Sequence, residues 1–425
     1  MRELIVPISA PEAADTDRFG PKAANLARLG HAGLPIPAGF CVDAQAYRVQ
    51  FAAADLEARA RNVNSIEPGE ARRAALAIKL GLLDAPLDCD VRAALVQAWQ
   101  TLNAETRAPT VVRSSALVED RFGSSFAGQF ESYLGLEGED EFLTAVRSCW
   151  AALWATRVLR YMATHDASPA DTAMAILVQP LVAARAAGGG LSRSAEDEMV
   201  LTATTGLGAA LAQGEVVPDR FVLSREGALR RAIKGRVSHR VGCAHGIRPP
   251  QRAPAAQATL DAAQALELGA LLRGAEDVMG MPVEIEWALD DTGFKLLQAR
   301  PLHMQAAPVR DEIWLRHPGL TGQPAGVGWS SGRACVVNCE CELSRVGPGD
   351  ILVTKVAGPS LSEVLPRVAG VVAELGGSTS HLASLARERG IPGVFGVLEA
   401  TERIPDGAQV AVDGVTGIVR WMPRN

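Results

Sequence analysis

The chain has 425 residues, of which 48% are hydrophobic, and 42 basic against 48 acidic residues give it a net charge of −6. This length predicts two or three domains, and the charge provides no basic field to hold nucleic acid or an anionic membrane surface. The most apolar stretch, residues 173–184, is too short to span a bilayer, and the first ten residues make a poor signal peptide. Seven scattered cysteines fit a reducing compartment, so we expect a cytoplasmic protein with neither a nucleic-acid nor a membrane partner.

The first motif in chain order ends at a lysine. Gly20 and Pro21 precede Lys22 at the start of a predicted helix, because proline fits the first helical turn. Farther along, a short apolar strand leads to Arg113 and two serines. On these residues alone, Lys22 is either a solvated helix residue or a point charge for a phosphate.

A Gly/Ser-rich segment follows at residues 123–132. It predicts a flexible hairpin whose backbone amides could contact the phosphates of a ligand, with an ordinary surface hairpin as the alternative. Beyond it, the pattern predicts one long helix over residues 142–165 and a buried strand over residues 173–179.

A predicted hairpin carries the clearest alternation of polar side chains. Its first strand places Glu284 and Glu286 on one face, and its return strand places Gln298 and Arg300 on one face. The register can bring Glu286 opposite Gln298, which leaves oxygens for a divalent cation and a guanidinium for phosphate. An exposed polar hairpin face is the alternative.

The last quarter of the chain alternates short strands with glycine turns. The apolar run of residues 370–375 ends at two glycines, and helical spacing begins at His381. Backbone N–H groups at such a helix start face any bound anion, and a neutral imidazole can carry a phosphoryl group. The turn alone leaves a buried structural histidine equally open.

Taken in chain order, these segments resemble the dikinase-type phosphotransferases, the family of phosphoenolpyruvate synthase, pyruvate phosphate dikinase and rifampin phosphotransferase. The resemblance covers the first 300 or so residues and a final block around the histidine. The matching blocks are Gly20-Pro21-Lys22-Ala23-Ala24-Asn25-Leu26, Val112-Arg113-Ser114-Ser115, Ser125-Phe126-Ala127-Gly128-Gln129, Val178-Gln179, Gly206-Leu207-Gly208, Pro218-Asp219-Arg220, Ile285-Glu286-Trp287-Ala288, Leu297-Gln298-Ala299-Arg300-Pro301 and Gly376-Gly377-Ser378-Thr379-Ser380-His381.

The resemblance implies a multidomain α+β / α/β protein. Residues 1–305 would form an ATP-grasp-like nucleotide-binding domain, with subdomains at about 1–190 and 191–305. Residues 306–324 would be a linker, and residues 325–425 a swivelling β/β/α phosphohistidine domain.

The resemblance also assigns roles residue by residue. It makes His381 the phosphoryl carrier, with ATP and Mg²⁺ as the cofactors. The ATP-binding positions are Lys22, Arg113, Gly128, Ser132, Gln179, Glu286, Gln298 and Arg300, and the Mg²⁺ positions are Glu286 and Gln298.

The activity that follows from the resemblance is an ATP-dependent phosphotransfer. In the family, ATP is cleaved to AMP and phosphate, and the β-phosphoryl group reaches an acceptor through the histidine. We therefore predict a kinase-type transferase acting on a small-molecule acceptor, which a separate protein could present. Two alternatives stay open: an ATP-grasp ligase without a histidine relay, and a non-catalytic nucleotide-binding subunit that acts with a partner protein.

The chain departs from the family pattern in three places. The large acceptor-binding domain is expected to be missing, since the linker is short and the sequence stops at Asn425. The segment after Gln179 is reduced to a glycine-rich run at residues 187–192, which could alter the nucleotide lid. Leu382 follows the histidine where the family has a small residue.

Overall fold

The computed structural model describes residues 3–61, 63, 67–119, 130, 132–163, 168–235, 259–302, 314 and 316–422. Helices and strands are mixed throughout, which confirms the predicted α/β class. The chain forms two compact units, Met1–Ala183 with Lys295–Arg300 and Ala184–Phe294 with Pro301–Asn425. Among the described residues, no helix has both the length and the apolarity needed to cross a membrane. Of the predicted linker, residues 306–313 and 315 lie outside the described residues, and its last part contains the strand Gly319–Thr321 and the start of the strand Gln323–Gly326.

The first unit is built on one antiparallel sheet in the order β1-β2-β5-β3-β4. Helices supply the rest of this unit, as the Ala/Leu-rich composition of residues 44–102 indicates. The strands are β1 (Ile5–Pro7), β2 (Phe40–Val42), β3 (Thr110–Ala116), β4 (Ser132–Leu136) and β5 (Met174–Pro180), and the helices are α1 (Thr16–His31), α2 (Ala44–Ala53), α3 (Glu57–Arg61), α4 (Pro68–Asp84), α5 (Cys89–Thr106), α6 (Glu139–Ala152) and α7 (Thr156–Ala163).

Helix α1 is interrupted at a glycine. Gly20 has φ 72° and ψ 160°, and Pro21 restarts the helix after it. A Cβ at Gly20 would lie 2.4 Å from the backbone oxygen of Ser115 in β3. Glycine is therefore required here for two reasons, the positive φ and the close approach of the strand.

The helix predicted over residues 142–165 is divided into α6 and α7. A tight turn between them buries Leu153 and Trp154, and the Trp154 indole donates a hydrogen bond of 2.9 Å to the Tyr47 hydroxyl. The Trp154 ring also stacks on Phe51 with a centroid separation of 5.8 Å. The contacts of Trp154 with Tyr47 and Phe51 account for the break, because a continuous helix would point the Trp154 ring in a different direction and lose them.

The second unit contains two sheets. The lobe sheet has the order β10-β6-β7-β8-β9, with antiparallel pairing throughout. Its elements are β6 (Ala186–Leu191), β7 (Met199–Thr205), α8 (Ala209–Ala212), β8 (Asp219–Leu223), β9 (Leu229–Ile233), α9 (Ala262–Met279) and β10 (Val283–Asp290); β11 (Gly293–Pro301) follows, and its residues Lys295–Arg300 belong to the first unit.

Residues 316–422 form what we call the histidine subdomain. Its eight-stranded sheet runs β12-β19-β18-β14-β15-β16-β17-β13, with parallel pairing from β14 through β17. Its elements are β12 (Gly319–Thr321), β13 (Gln323–Gly326), β14 (Trp329–Val337), β15 (Ile351–Thr354), β16 (Gly370–Ala373), α10 (His381–Glu388), β17 (Gly393–Phe395), α11 (Ala400–Arg403), β18 (Gln409–Asp413) and β19 (Ile418–Trp421). Valine and isoleucine side chains from its central strands form a continuous buried core.

The two requirements at Gly20 can be separated by mutation. Gly33 also has a positive φ of 84°, but an added Cβ there would meet nothing within 4 Å. Gly33→Ala should therefore cost only about 1 kcal/mol, for the backbone conformation. Gly20→Ala should cost roughly 1–3 kcal/mol more, for the overpacking against Ser115. Denaturant unfolding at one pH measures both, and equal losses would contradict the close approach.

Candidate functional site

Lys22 lies near the end of β3 because α1 restarts at Pro21. Its ammonium donates a hydrogen bond of 2.8 Å to the Ser114 carbonyl and lies 3.4 Å from the Glu119 carboxylate. The next residue, Ala23, donates its backbone N–H to the Ser115 hydroxyl at 3.1 Å. The first turn after the break is thus fixed to the strand, and Lys22 is held in one position.

Glu119 is a buried acidic group that the sequence did not single out. Burial raises the pKa of Glu119, and the nearby charges of Lys22 and Arg300 act in the opposite direction. Its carboxylate also accepts the Ala116 N–H at 3.3 Å. An acid four residues after the Ser114-Ser115 pair was the available signal, but its burial beside Lys22 is a property of the fold.

Three predicted nucleotide-binding residues share one face of the first sheet. Arg113 pairs with Ser132 across β3 and β4, and Gln179 pairs with Val111, two residues before Arg113. Paired residues in antiparallel strands project to the same side, as do residues two apart in one strand. The Gln179 amide donates to the Pro37 carbonyl at 3.1 Å.

The returning segment Lys295–Arg300 lies against this face of the first unit. Arg113 donates to the Leu297 carbonyl at 2.6 Å, and the Asn25 amide donates to the Ala299 carbonyl at 3.3 Å. Arg300 is close enough to influence the charge of Glu119. The first unit therefore brings Lys22, Arg113 and Arg300 into one neighbourhood, where their charge could meet phosphate groups.

In the second unit, one row of residues crosses the lobe sheet. Glu286 pairs with Gly189, Gly189 with Thr202, and Thr202 with Arg220, so all four project to the same face. A Cβ at Gly189 would lie 2.6 Å from the Cβ of Thr379. The Thr379 and Thr202 hydroxyl oxygens are 2.6 Å apart. The loop before His381 thus rests on this row, next to Glu286.

The glycine run after Gln179 is a buried strand of the lobe sheet. Each of its glycines faces a close neighbour: at Gly188 an added Cβ would be 1.9 Å from the Thr202 carbonyl oxygen, and at Gly190 it would be 3.1 Å from Ile285. The side facing Gly190 also holds Leu272 of α9. The missing side chains therefore let the histidine loop approach one face while α9 packs on the other.

His381 is the first residue of α10 and is half-buried. Ser380 caps this helix, with its hydroxyl accepting the Ala383 N–H at 3.4 Å. Gly376 has φ 96°, and its N–H donates to the Val216 carbonyl at 3.0 Å. The histidine therefore lies at the positive end of an eight-residue helix, in a turn held against the lobe.

A buried ion pair joins α10 to β10. Arg387 donates to the Glu284 carboxylate at 3.0 Å, and the Ser384 hydroxyl donates to the same carboxylate at 3.0 Å. Glu284 is 6% exposed and Arg387 4% exposed. Arg387 also donates to the carbonyls of Ala325 and Ser378. Glu284 and Glu286 are two residues apart, as predicted, so the face that binds α10 is the face of Glu286.

Three predicted positions are not decided by these contacts. Gly128 and most of its Gly/Ser-rich segment lie outside the described residues. Glu286 belongs to the second unit and Gln298 to the first, so their pairing as magnesium ligands stays a prediction.

Comparison with known proteins agrees with this layout. The family described as "Pyruvate phosphate dikinase, AMP/ATP-binding domain" matches residues 16–314, and "PEP-utilising enzyme, mobile domain" matches residues 346–417. Phosphoenolpyruvate synthase of Aeropyrum pernix is 32% identical over 94% of this chain and 56% of its own length. The enzymes of that name from Pyrococcus furiosus and Escherichia coli are 29% and 30% identical over 95% of this chain, and 57% and 56% of their own lengths.

These matches define a nucleotide-binding domain followed by a mobile domain of phosphoenolpyruvate-utilising enzymes. Since the first match covers most of the sequence, the chain belongs to the pyruvate phosphate dikinase AMP/ATP-binding family, and the dikinase-type resemblance is confirmed. The chain spans little more than half the length of the curated relatives it matches.

The raised pKa of Glu119 predicts a pH-dependent stability. The folded protein keeps this proton to a higher pH than the unfolded chain, so unfolding releases it. Below the ordinary pKa of 4.5 the carboxyl is protonated in both states, and the contribution of Glu119 to the free energy of unfolding is fully present. As pH rises through the folded pKa, the buried carboxyl has to ionise and this contribution is lost. The free energy of unfolding of the wild type relative to Glu119→Gln should fall across this window, by at most about 1.4 kcal/mol per pH unit. Denaturant unfolding of both proteins from pH 4 upwards measures this difference. If their free energies of unfolding change with pH in the same way, the raised pKa of Glu119 is contradicted.

The ion pair between α10 and β10 predicts a large loss of stability on Glu284→Gln. The change removes the carboxylate charge that buried Arg387 pairs with at 3.0 Å, which should cost about 3–5 kcal/mol in unfolding free energy. The matched control is Glu57→Gln, because Glu57 pairs with Arg61 at 3.5 Å in an exposed position and should lose less than about 1 kcal/mol. Replacing Glu284 and Arg387 together by Leu and Met should cost less than Glu284→Gln alone. Equal losses for the buried and exposed variants would show that the pair does not hold the helix.

Proposed function

We propose that this chain is an ATP-dependent, dikinase-type phosphotransferase with His381 as its phosphoryl carrier. In the overall reaction, ATP, water and an acceptor give AMP, inorganic phosphate and the phosphorylated acceptor. A ring nitrogen of neutral His381 takes the β-phosphoryl group and later passes it on, which divides one difficult transfer into two.

The observation that carries this proposal is the placement of the histidine loop on the lobe sheet. Thr379, two residues before His381, rests on Gly189, and Gly189 pairs with Glu286. An acidic residue suited to a magnesium–nucleotide complex and a helix start suited to an anion therefore lie side by side. This arrangement supports a state in which His381 is loaded from ATP.

The first unit supplies the proposed phosphate-binding charges. Lys22, Arg113 and Arg300 would neutralise the triphosphate, because phosphoryl transfer depends mainly on positioning and charge stabilisation. Ser132 and Gln179 project from the same sheet face as Arg113 and would orient the nucleotide. The backbone amide of Gly128 would also contact the phosphates, as the sequence predicts.

The oxygen donors of Glu286 and Gln298 suit a hard divalent cation, and these two residues would hold Mg²⁺. When bound, the ion supplies positive charge to the phosphate oxygens. Among the proposed nucleotide-binding residues, Lys22 is held in place by the Ser114 carbonyl and the Glu119 carboxylate. It would hold the nucleotide in place while His381 acts as the nucleophile.

We propose that the histidine subdomain swivels between loading and unloading, with the part of the predicted linker that precedes residue 316 as the tether. The acceptor is a small molecule, bound by this chain or presented by a separate protein. Pyruvate is the first acceptor to test, because the curated relatives are named phosphoenolpyruvate synthase.

The relay is tested with ATP labelled at the β-phosphate. The wild type should acquire acid-labile, base-stable label on the protein and release AMP. His381→Ala should lose the label and turnover, on the order of 10³-fold or more, because the nucleophile is gone. Quench and gel autoradiography, with chromatography of the nucleotides, measures both.

The control for this experiment is His31→Ala, since His31 is an exposed histidine of the first unit. It should label like the wild type. Label that persists in His381→Ala would refute the relay. ADP as the nucleotide product, with no protein label, would instead indicate ligase chemistry, and tight ATP binding without turnover would indicate a non-catalytic subunit.

A further inference from the structure

A small cleft lies between the lobe sheet and the histidine subdomain, away from the Glu286 end of the cross-sheet row. Leu191, Val200 and Arg220 line it from the lobe, and Ala325, Ser378 and Arg387 line it from the histidine subdomain. All of these residues belong to the second unit.

Two buried polar atoms beside this cleft lack a hydrogen-bond partner among the described residues. They are the Nε of Arg220 and the hydroxyl oxygen of Ser378. Arg220 is only 8% exposed and Ser378 only 1% exposed. A buried donor without a partner costs free energy, so both groups are poised to gain from an added acceptor.

The charges around the cleft favour an anion. Burial and the nearby charge of Arg231 lower the pKa of Arg220, while the charges of Glu196 and Glu198 act in the opposite direction. Both of these carboxylates form ion pairs with other arginines, Glu196 with Arg231 and Glu198 with Arg230 and Arg231. Glu196 also lines the cleft, but its carboxylate lies 3.5 Å from the Arg231 guanidinium and is half exposed. Arg387, which is neutralised by Glu284, adds a second guanidinium to the wall.

The size of the cleft limits the ligand. Its interior space is about 30 Å³, and a water molecule needs roughly 10–15 Å³. Two or three waters, or one tetrahedral ion reaching in from the open side, would fill it. A nucleotide would not fit.

We propose that this cleft is a binding site for a small tetrahedral oxyanion of the inorganic phosphate class, held by Arg220 and Ser378. Both parts of the second unit build the site, so an anion bound there favours the docked position of the histidine subdomain. The proposal goes beyond the phosphotransfer reaction, and its test reads binding alone, so it can succeed or fail independently of the His381 relay.

The test is calorimetric titration of the full chain with inorganic phosphate, at constant ionic strength maintained with sodium chloride. The wild type should bind phosphate and gain thermal stability. Arg220→Gln should weaken binding in this site about 10-fold or more, and Ser378→Ala about 3- to 10-fold, because each removes a donor to a charged ligand. The gain in thermal stability should shrink in parallel.

Two control variants make the result specific. Arg230→Gln removes the same charge from an exposed side chain on the neighbouring strand, and it should bind like the wild type. Lys22→Gln removes the proposed nucleotide lysine, and it should keep the binding event that Arg220→Gln loses.

Several outcomes would overturn the site. These are no phosphate binding by the wild type up to tens of millimolar, equal affinity in the wild type and Arg220→Gln, or loss of all binding in Lys22→Gln. If Arg220→Gln does not fold, the smaller change Ser378→Ala decides, and an affinity equal to that of the wild type would refute the proposal.

Discussion

The buried ion pair between Glu284 and Arg387 is the constraint on which the arrangement of the second unit depends. Neither charge could be buried alone, because an unpaired ion in the interior costs several kcal/mol. Each is acceptable because the other is present and because Ser384 and two backbone carbonyls complete the hydrogen bonding. This network fixes the direction of α10 and, with it, the position of His381 at the start of the helix.

The position of His381 also depends on the close approach of the loop before it to the glycine strand β6. At Gly189 the lobe sheet has no side chain, and Thr379 occupies the space with its hydroxyl oxygen 2.6 Å from that of Thr202. A strand with three successive glycines is weak on intrinsic grounds, since glycine loses the most backbone entropy on folding. Its retention at the centre of a buried sheet is explained by the partners on its two faces, the histidine loop and α9.

In the first unit, a glycine and a buried acidic residue together fix the position of Lys22. A positive φ at Gly20 turns the chain so that Lys22 reaches the end of β3, where Ser114 and Glu119 hold it. A lysine fixed in this way needs little reordering to meet a phosphate, so less side-chain entropy is lost on binding. Glu119 lies 3.4 Å from Lys22, and burial raises its pKa against the opposing charges of Lys22 and Arg300, so its protonation is coupled to folding.

Local patterns in the sequence determined the elements of the fold and many of the candidate residues. The alternation in β10 placed Glu284 and Glu286 on one face, and the two glycines before His381 marked the strand-to-helix turn, because these signals depend only on side-chain period and backbone freedom. The sequence did not show that α6 and α7 are separate helices, since burial of Trp154 in the tertiary structure decides that break. Nor could it show the contacts of Glu119 with Lys22, or of Glu284 with Arg387, 103 residues apart. Ion pairs between residues far apart in sequence produce no periodic pattern, so only the folded structure decides which charges become buried together.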